Sequence, residues 1–236
     1  MNQYGPGKLL ENIGADATGL PFNSIFAMLL EKNHPSTPLV NSGAISACSM
    51  VKPIGNNSGK WNAIKEFIEK MCGSSVDVID ELYISESETN FNNRSITWLL
   101  KNYDRIYDDP DLSLDLYTRQ CSIGITTEQL SICAGTITNC GINPVTGEKV
   151  FPYNYTSKIV SLMATVGFYE HTGNWMYNTG IPAKTGVGGG ILAVMPGDFG
   201  IAVFSPGLDE SGNSVKGQAA IMYIVDKLGV NVYGRR

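Results

Sequence analysis

The chain has 236 residues, of which 43% are hydrophobic and 17% charged, and its formal net charge is −5. A chain of this length can bury roughly 70% of its unfolded surface, so we expect an ordered protein of one larger domain or two small ones. Its basic residues are scattered, only Arg235 and Arg236 adjoin, and no apolar stretch approaches the roughly 20 residues that span a bilayer. Neither a nucleic acid nor a membrane is therefore expected as a partner.

Cysteine and histidine usage bears on the compartment and on metal binding. The five cysteines are Cys48, Cys72, Cys121, Cys133 and Cys140. An odd number without a C-x-x-C pair fits reduced, mostly packed thiols better than a disulfide framework or a zinc site. The only histidines, His34 and His171, lie at no metal-ligand spacing, so we expect no metal and a reducing compartment such as the cytoplasm.

The first 150 residues predict mainly helices and loops. Apolar residues form one helical stripe over 61–72, with Ser58 as a possible start and Gly73 as the stop. Thr126 and Gln129 form a capping-box pattern before a second apolar helix, which Gly141 terminates.

The C-terminal third predicts antiparallel sheet covered by helices. Two apolar runs, 188–195 and 199–204, are joined by Pro196-Gly197-Asp198, which is typical of a β-hairpin. An amphipathic helix is predicted from Ser214 to Leu228, with Gly229 as its stop.

No shift in composition and no long linker marks a domain boundary. Residues 1–236 are therefore predicted to form a single domain, with a helical lobe, a sheet lobe and an active site in the cleft between them. Lys184-Thr185-Gly186, expected at or just before the first hairpin strand, is one signature of serine acyl-transfer enzymes that also carry a Ser-x-x-Lys nucleophile.

The search for that nucleophile finds no convincing serine. Ser49-Met50-Val51-Lys52 is the one Ser-x-x-Lys in the chain, and about one such match is expected by chance. Pro53 follows directly and would leave Ser49 at the end of a helix, whereas an activated serine gains from a helix N-terminus. A Ser-His-Asp triad would need a histidine as base, but neither histidine has a Gly-x-Ser-x-Gly serine to activate.

Longer motifs carry a family resemblance. They are GLPFNS (19–24), PLVNSGAI (38–45), SESETNFNNR (85–94), LYTRQCS (116–122), MATVGFYEHTG (163–173), IPAKTGVGGG (181–190) and FSPGLDESGNS (204–214). In order and spacing these motifs resemble the serine-dependent glutaminase family, over essentially the whole chain. The resemblance implies a β-lactamase-like fold of the α/β (α+β) type, with an antiparallel sheet flanked by helices plus a helical lobe.

The resemblance implies hydrolysis of L-glutamine to L-glutamate and ammonia through a serine acyl-enzyme, without a cofactor. In the family the Ser-x-x-Lys serine lies about fifty residues before the asparagine that corresponds to Asn41. We therefore expect the nucleophile before Met1, a chain that begins inside the nucleophile helix, and an N-terminally incomplete domain. Loss of the N-terminal strands would leave an uncovered sheet edge.

Site residues follow from the same motifs. The implied substrate-binding residues are Asn41, Glu86, Asn93, Tyr117, Tyr169 and Val187. Glu86 would pair with the substrate α-ammonium, and the Val187 N–H would form half of an oxyanion hole. Tyr117, Tyr169 and Lys184 are the implied catalytic residues within this chain. From the residues alone, each role has a simpler alternative. Glu86 could be a solvated carboxylate, the two asparagines could form turns, the two tyrosines could lie in the core or at its rim, and Lys184 could be a surface lysine.

Other functions stay open at this point. A catalytically inactive glutamine-binding or modulating chain would keep the pocket without the nucleophile. A β-lactam-reactive enzyme would need a Ser-x-Asn before Lys184, but Ser211-Gly212-Asn213 lies after it. The resemblance also implies a homo-oligomer, a dimer or tetramer, in the cytoplasm, or in mitochondria if the source is eukaryotic.

Overall fold

The computed structural model describes residues 1–31 and 34–234. The chain forms two compact units, the first made of residues 1–69 and 75–124 and the second of residues 70–74 and 125–236. The single domain over residues 1–236 therefore stays a prediction. No helix in the described ranges is long and apolar enough to cross a membrane.

The first unit is built almost entirely of helices. Its elements are α1 (Gly5–Asn12), α2 (Ile25–Leu30), α3 (Asn41–Met50), α4 (Asn57–Cys72, whose last turn belongs to the second unit), β1 (Asp77–Val78), α5 (Asp80–Thr89), α6 (Phe91–Asn102), α7 (Pro110–Cys121) and β2 (Ile123–Gly124). The two short strands pair antiparallel. Residues 2–4 form a turn, and α1 follows from Gly5 with Pro6 in its first turn.

The core of this unit is formed by α2, α3, α6 and α7. Ile45 of α3, Ile96 and Leu100 of α6 and Met28 of α2 are fully buried, and Leu114 of α7 is nearly so. Ile96 and Leu100 are four residues apart and so lie on one face of α6. Each such side chain stabilises the fold by roughly 1.5–3 kcal/mol on burial, which fixes these helices against one another.

The second unit combines helices with a three-stranded sheet. Its elements are α8 (Thr127–Thr138), short 3₁₀ turns at Tyr153–Tyr155 and Tyr169–His171, α9 (Thr156–Val166), α10 (Thr172–Thr179), β3 (Ala183–Thr185), β4 (Gly190–Met195), β5 (Phe199–Phe204) and α11 (Val215–Leu228). The strands pair antiparallel in the order β3-β4-β5. Among the described residues β3 and β5 each pair only with β4 and so form the two edges of this sheet.

Close packing holds α8 to this sheet. A Cβ on Gly200 of β5 would lie 2.4 Å from the Cβ of Ala134 on α8, so glycine permits the contact. The sheet core contains Phe168 and Trp175, whose rings stack with centroids 4.1 Å apart.

Most local predictions are confirmed. The Thr126–Gln129 capping box is present in both directions, and the predicted hairpin forms with β4 and β5 as its strands. The helix predicted over 61–72, with Ser58 as its possible start, begins at Asn57, because the Asn56 side chain accepts the Gly59 N–H at 2.9 Å. The closing helix is α11, capped by Ser214 and ended by Gly229 in the left-handed region.

Candidate active site

Three of the predicted substrate-binding residues meet in the first unit. The Tyr117 hydroxyl donates a hydrogen bond to Asn41 Oδ1 at 3.2 Å, and Asn41 Nδ2 donates to Asn93 Oδ1 at 2.8 Å. Asn41 begins α3, Asn93 lies in the first turn of α6 and Tyr117 lies on α7. We call these three residues the amide cluster.

The amide cluster is held by the helical core but keeps polar atoms for a ligand. Tyr117 packs against the buried residues of that core, and the Asn41 N–H donates to the Phe22 carbonyl at 2.9 Å. All three side chains are half-buried, and no described residue accepts from Asn93 Nδ2. The cluster therefore offers both donors and acceptors at fixed positions, as recognition of a carboxylate or a carboxamide requires.

Glu86 is separate from these contacts. It lies on the exposed surface of α5 and has no hydrogen-bond or ion-pair partner among the described residues. The structure therefore joins Asn41, Asn93 and Tyr117 directly, and leaves Glu86 as a charged group free to take a cationic partner.

In the second unit, Lys184 and Tyr169 form a pair. The Lys184 ammonium lies 4.2 Å from the centroid of the Tyr169 ring, and it also donates to the Thr185 carbonyl. Tyr169 is buried, and its backbone φ of 54° lies in the left-handed region that residues other than glycine seldom adopt. Such strained residues cluster at functional sites, where the surrounding packing maintains them. Lys184 was expected at or just before the first hairpin strand, and it lies in the middle of the preceding strand, β3, opposite Leu192.

The turn that carries Tyr169 is docked on β3 through Gly167. The Thr185 N–H donates to the Gly167 carbonyl at 3.1 Å. A Cβ on Gly167 would lie only 1.7 Å from the Ala183 carbonyl oxygen. A residue without a side chain is therefore required for the backbone of this turn to reach the strand.

Val187 lies in the turn between β3 and β4. The Gly186 N–H donates to the Gly190 carbonyl at 3.0 Å and the Gly189 N–H to the Gly186 carbonyl at 2.9 Å. Val187 is 54% exposed, and no backbone carbonyl of the described residues accepts its N–H. The turn therefore presents one backbone donor to a ligand, as an oxyanion hole requires.

A second polar cluster next to Tyr169 was missed by the sequence reasoning. The Ser211 hydroxyl donates to Glu170 Oε1 at 2.9 Å and lies 3.4 Å from His171 Nε2. The Asp209 carboxylate accepts the N–H groups of Ser211 and Asn213 at 3.0 and 2.9 Å. The motif FSPGLDESGNS carried part of the family resemblance, but it predicted no role for Ser211 or Asp209.

Ser49 is unsuited to act as a nucleophile, as its position before Pro53 indicated. It lies in the last turn of α3, fully buried, where its hydroxyl donates to the Ser46 carbonyl at 2.6 Å and accepts the Tyr107 N–H at 3.0 Å. Both hydrogen bonds are structural, and Lys52 is exposed on the surface. No group of three or more His, Cys, Asp or Glu side chains suited to a metal occurs in the described part of the chain.

Comparison with known proteins identifies the family. The Glutaminase family model matches residues 1–233. A relative named Glutaminase from Bacteroides thetaiotaomicron is 66% identical over 233 residues, which cover 99% of this chain and 73% of the relative. The solved structure of a probable glutaminase, ybaS, is 42% identical with a TM-score of 0.96 and covers 99% of this chain and 75% of that one.

A further solved structure shows a covalent ligand. It is the complex between the Bacillus subtilis glutaminase YbgJ and 5-oxo-L-norleucine, formed by reaction with 6-diazo-5-oxo-L-norleucine. That protein is 25% identical with a TM-score of 0.87, and the match covers 98% of this chain and 76% of that one. The mixed α/β fold with small antiparallel sheets matches these structures and confirms the expected β-lactamase-like fold class. The chain belongs to the glutaminase family, a family of amidohydrolases.

Proposed function

We propose that this glutaminase cleaves the side-chain amide of L-glutamine, giving L-glutamate and ammonia, through an acyl-enzyme on a serine. The serine oxygen would attack the amide carbon, the C–N bond would break as ammonia leaves with a proton, and water would then release glutamate. The covalent complex of the Bacillus subtilis glutaminase supports a covalent route in that relative. The serine and its lysine base are expected before residue 1, and this remains part of the proposal.

The amide cluster is the observation that carries the proposal. Tyr117, Asn41 and Asn93 form one hydrogen-bonded chain whose remaining donors and acceptors suit the carboxylate and amide groups of glutamine. The exposed carboxylate of Glu86 is proposed to bind the α-ammonium.

The second unit is proposed to supply the reaction chemistry. The Val187 N–H is one donor of the oxyanion hole, which stabilises the negative charge that develops on the amide oxygen. Tyr169, with Lys184 against its ring, is proposed to pass a proton toward the leaving ammonia.

The test is ammonia release from L-glutamine, together with covalent labelling by 6-diazo-5-oxo-L-norleucine. The printed chain and the Bacteroides thetaiotaomicron relative are assayed side by side, the relative serving as the positive control. Asn41→Ala is expected to weaken glutamine binding, and the exposed Asn154→Ala is the matched control. Unchanged glutamine binding in Asn41→Ala would contradict the proposed substrate site.

A glutamine-binding chain without catalysis is the second candidate, because the amide cluster would bind glutamine in either case. Calorimetric binding of glutamine without ammonia release or labelling would select it. Labelling of Ser49 would instead overturn the expected location of the nucleophile. Relatives named Glutaminase over 99% of the chain favour both candidates over a β-lactam-reactive enzyme, and a fluorescent penicillin tests that alternative in the same samples.

We also infer a homo-oligomer that works in the cytoplasm. Phe26 and Leu30 on α2 and Phe91 and Trp98 on α6 are more than half exposed, and side chains of this kind are common in subunit interfaces. None of the five cysteines, all of them in the described ranges, forms a disulfide, which fits a reducing compartment. Light scattering at micromolar concentration tests the first point, since a monomer would contradict it.

A further inference from the structure

Helix α5, which carries Glu86, is held in an unusual way. None of its ten residues is buried, and its apolar residues Leu82 and Ile84 are exposed. A surface helix of this length normally takes its position from a buried apolar face, because short helices are only marginally stable on their own. The position of α5 must therefore come mainly from specific polar contacts.

Tyr83 joins α5 to α7. Its hydroxyl donates to the Asp115 carboxylate, and this hydrogen bond raises the pKa of Tyr83, so the tyrosine keeps the proton that it donates. The Arg119 guanidinium lies 5.9 Å from the Tyr83 ring centroid and 4.9 Å from that of Trp61. Tyr83 is one helical turn before Glu86, and Asp115 is two residues before Tyr117.

Arg94 joins α5 to α6. Its Nη2 donates to the Ser87 carbonyl at 2.9 Å, and its Nε donates to Asn90 Oδ1 at 2.8 Å. The guanidinium therefore lies beside the C-terminal carbonyls of α5, where a positive charge stabilises a helix. Arg94 follows Asn93 directly in the chain. Its two hydrogen bonds therefore fix the junction between α5, which carries Glu86, and α6, which carries Asn93.

The ends of α5 have additional but separate anchors. The Ile79 N–H donates to the Ser122 carbonyl at 2.8 Å, and Asn90 Nδ2 donates to Thr118 Oγ1 at 3.3 Å. Removing Tyr83 or Arg94 alone should thus loosen the helix without unfolding the unit.

We propose that Tyr83 and Arg94 are positioning residues that hold helix α5, and with it Glu86, for binding of the substrate ammonium group. The inference rests on the proposed role of Glu86. Neither residue needs to touch the substrate. Each contact ties α5 to a helix that carries a member of the amide cluster, so the spacing between carboxylate and amides is fixed before glutamine binds.

The binding experiment is calorimetry with L-glutamine on Tyr83→Phe, Arg94→Met and Glu86→Gln. We expect Tyr83→Phe and Arg94→Met to weaken binding by about 3- to 10-fold. In both variants α5 is held less firmly, so the Glu86 carboxylate is in position to bind the substrate ammonium for a smaller fraction of the time. In a Glu86→Gln background the same changes should have no further effect. Tyr83→Phe should also leave binding of the α-hydroxy analogue of glutamine unchanged, which a general loss of structure would not do.

Matched controls and a rescue separate positioning from fold damage. Tyr177→Phe, on a 91% exposed side chain, Lys101→Met on α6 and Glu88→Gln on α5 should leave binding unchanged. Arg94→Lys should recover part of the loss, since lysine restores the charge but not the planar fork.

Hydrogen exchange of the amides of residues 80–89 gives a readout that does not depend on glutamine. We expect Tyr83→Phe and Arg94→Met to speed exchange there and not in α3. Unchanged exchange, or equal weakening of binding with and without Glu86, would overturn the inference. If Glu86→Gln binds glutamine normally, the proposed role of Glu86 fails, and the exchange data still decide whether these residues hold α5.

Discussion

The Lys184 ammonium lies 4.2 Å from the centre of the Tyr169 ring, on a tyrosine whose backbone is in the left-handed region. Two local features meet in this pair. Gly167 allows the Tyr169 turn to touch β3, and β3 holds Lys184 opposite Leu192 of the neighbouring strand. Backbone packing thus brings the Lys184 ammonium and the Tyr169 ring together, and the attraction between a cation and the face of an aromatic ring stabilises the pair further.

Removal of this charge should slow the reaction. We expect Lys184→Met to lower kcat by about 100-fold, the usual scale for the loss of one charge-stabilising group, with a smaller change in KM. Lys227, 5.5 Å from the exposed ring of Tyr223, forms a comparable surface pair, so Lys227→Met is the control. Steady-state ammonia release checks both, in the printed chain or in a longer form if only that form is active. Equal kcat values for the two variants would remove Lys184 from the mechanism.

Asn41 is the central member of the amide cluster, since it accepts from Tyr117 and donates to Asn93. Asn41→Asp keeps the shape but cannot donate to Asn93 Oδ1, and it adds a negative charge beside the site proposed for the substrate carboxylate. We expect glutamine binding to weaken by about 100-fold, from lost hydrogen bonds and like-charge repulsion. Calorimetry checks the value, with Asn154→Asp as control. A thermal midpoint within a few degrees of the parent would show that the loss is local.

The elements predicted correctly are those with a local signal. The capping box at Thr126 and the Pro196-Gly197-Asp198 turn each depend on residues that are neighbours in sequence. The start of α4 was predicted to within one residue, at Ser58, although the first turn after the Asn56 cap adds no apolar residue to the stripe that begins at Trp61.

The site could be predicted only through a family resemblance. Asn41 is 52 residues from Asn93 and 76 residues from Tyr117, so no periodicity or spacing rule relates them. The Tyr83 to Asp115 contact was missed for the same reason, since side-chain pairing between helices leaves no mark on the local pattern of either helix.

Gly167 offers a test of how tightly the Tyr169 turn is docked. Its φ of −63° is open to any residue, so a substitution acts only through the Cβ, which would lie 1.7 Å from the Ala183 carbonyl oxygen. We expect Gly167→Ala to lower the free energy of unfolding by about 3 kcal/mol or more. Gly173 in α10 has open space around the same position, so Gly173→Ala should be neutral or stabilise by up to ~1 kcal/mol. Denaturant unfolding of both variants checks the contrast, which similar stabilities would refute.

Thiol reactivity should divide the cysteines by burial. Cys121 and Cys140 are exposed, whereas Cys48, Cys72 and Cys133 are buried. Burial raises the pKa of Cys48 to about 12, and the hydrogen bond with Cys72, 3.6 Å away, raises that of Cys133, so neither forms the reactive thiolate near neutral pH. A chromogenic disulfide reagent should titrate two thiols in the native chain and all five in denaturant. Rapid reaction of a third thiol in the native chain would contradict the packing of the buried set.

Lys60 and Asp108 form a largely buried ion pair in the first unit. The Lys60 ammonium, whose side chain is 3% exposed, lies 2.5 Å from Asp108 Oδ2 and donates to the Ser49 carbonyl at 2.8 Å. Burial alone would raise the pKa of Asp108. Hydrogen bonds from Lys60 and from the backbone N–H groups of Gly55 and Asp109, with the lysine charge, hold it below its ordinary value.

The lowered pKa of Asp108 fixes the pH dependence of its contribution to stability. A carboxyl with a lowered pKa in the folded state stabilises fully above its unfolded pKa, near 4, and loses that contribution as the pH falls through the folded value. We expect Asp108→Asn to cost about 3 kcal/mol near pH 7, because Lys60 is left buried without its partner, and the difference from the parent to shrink below about pH 4. Asp226→Asn removes an exposed pair with Lys227 and should cost little at any pH. Denaturant unfolding from about pH 7 to pH 3 measures both, and a cost for Asp108→Asn that stays constant over that range would show that the ion pair does not stabilise this unit.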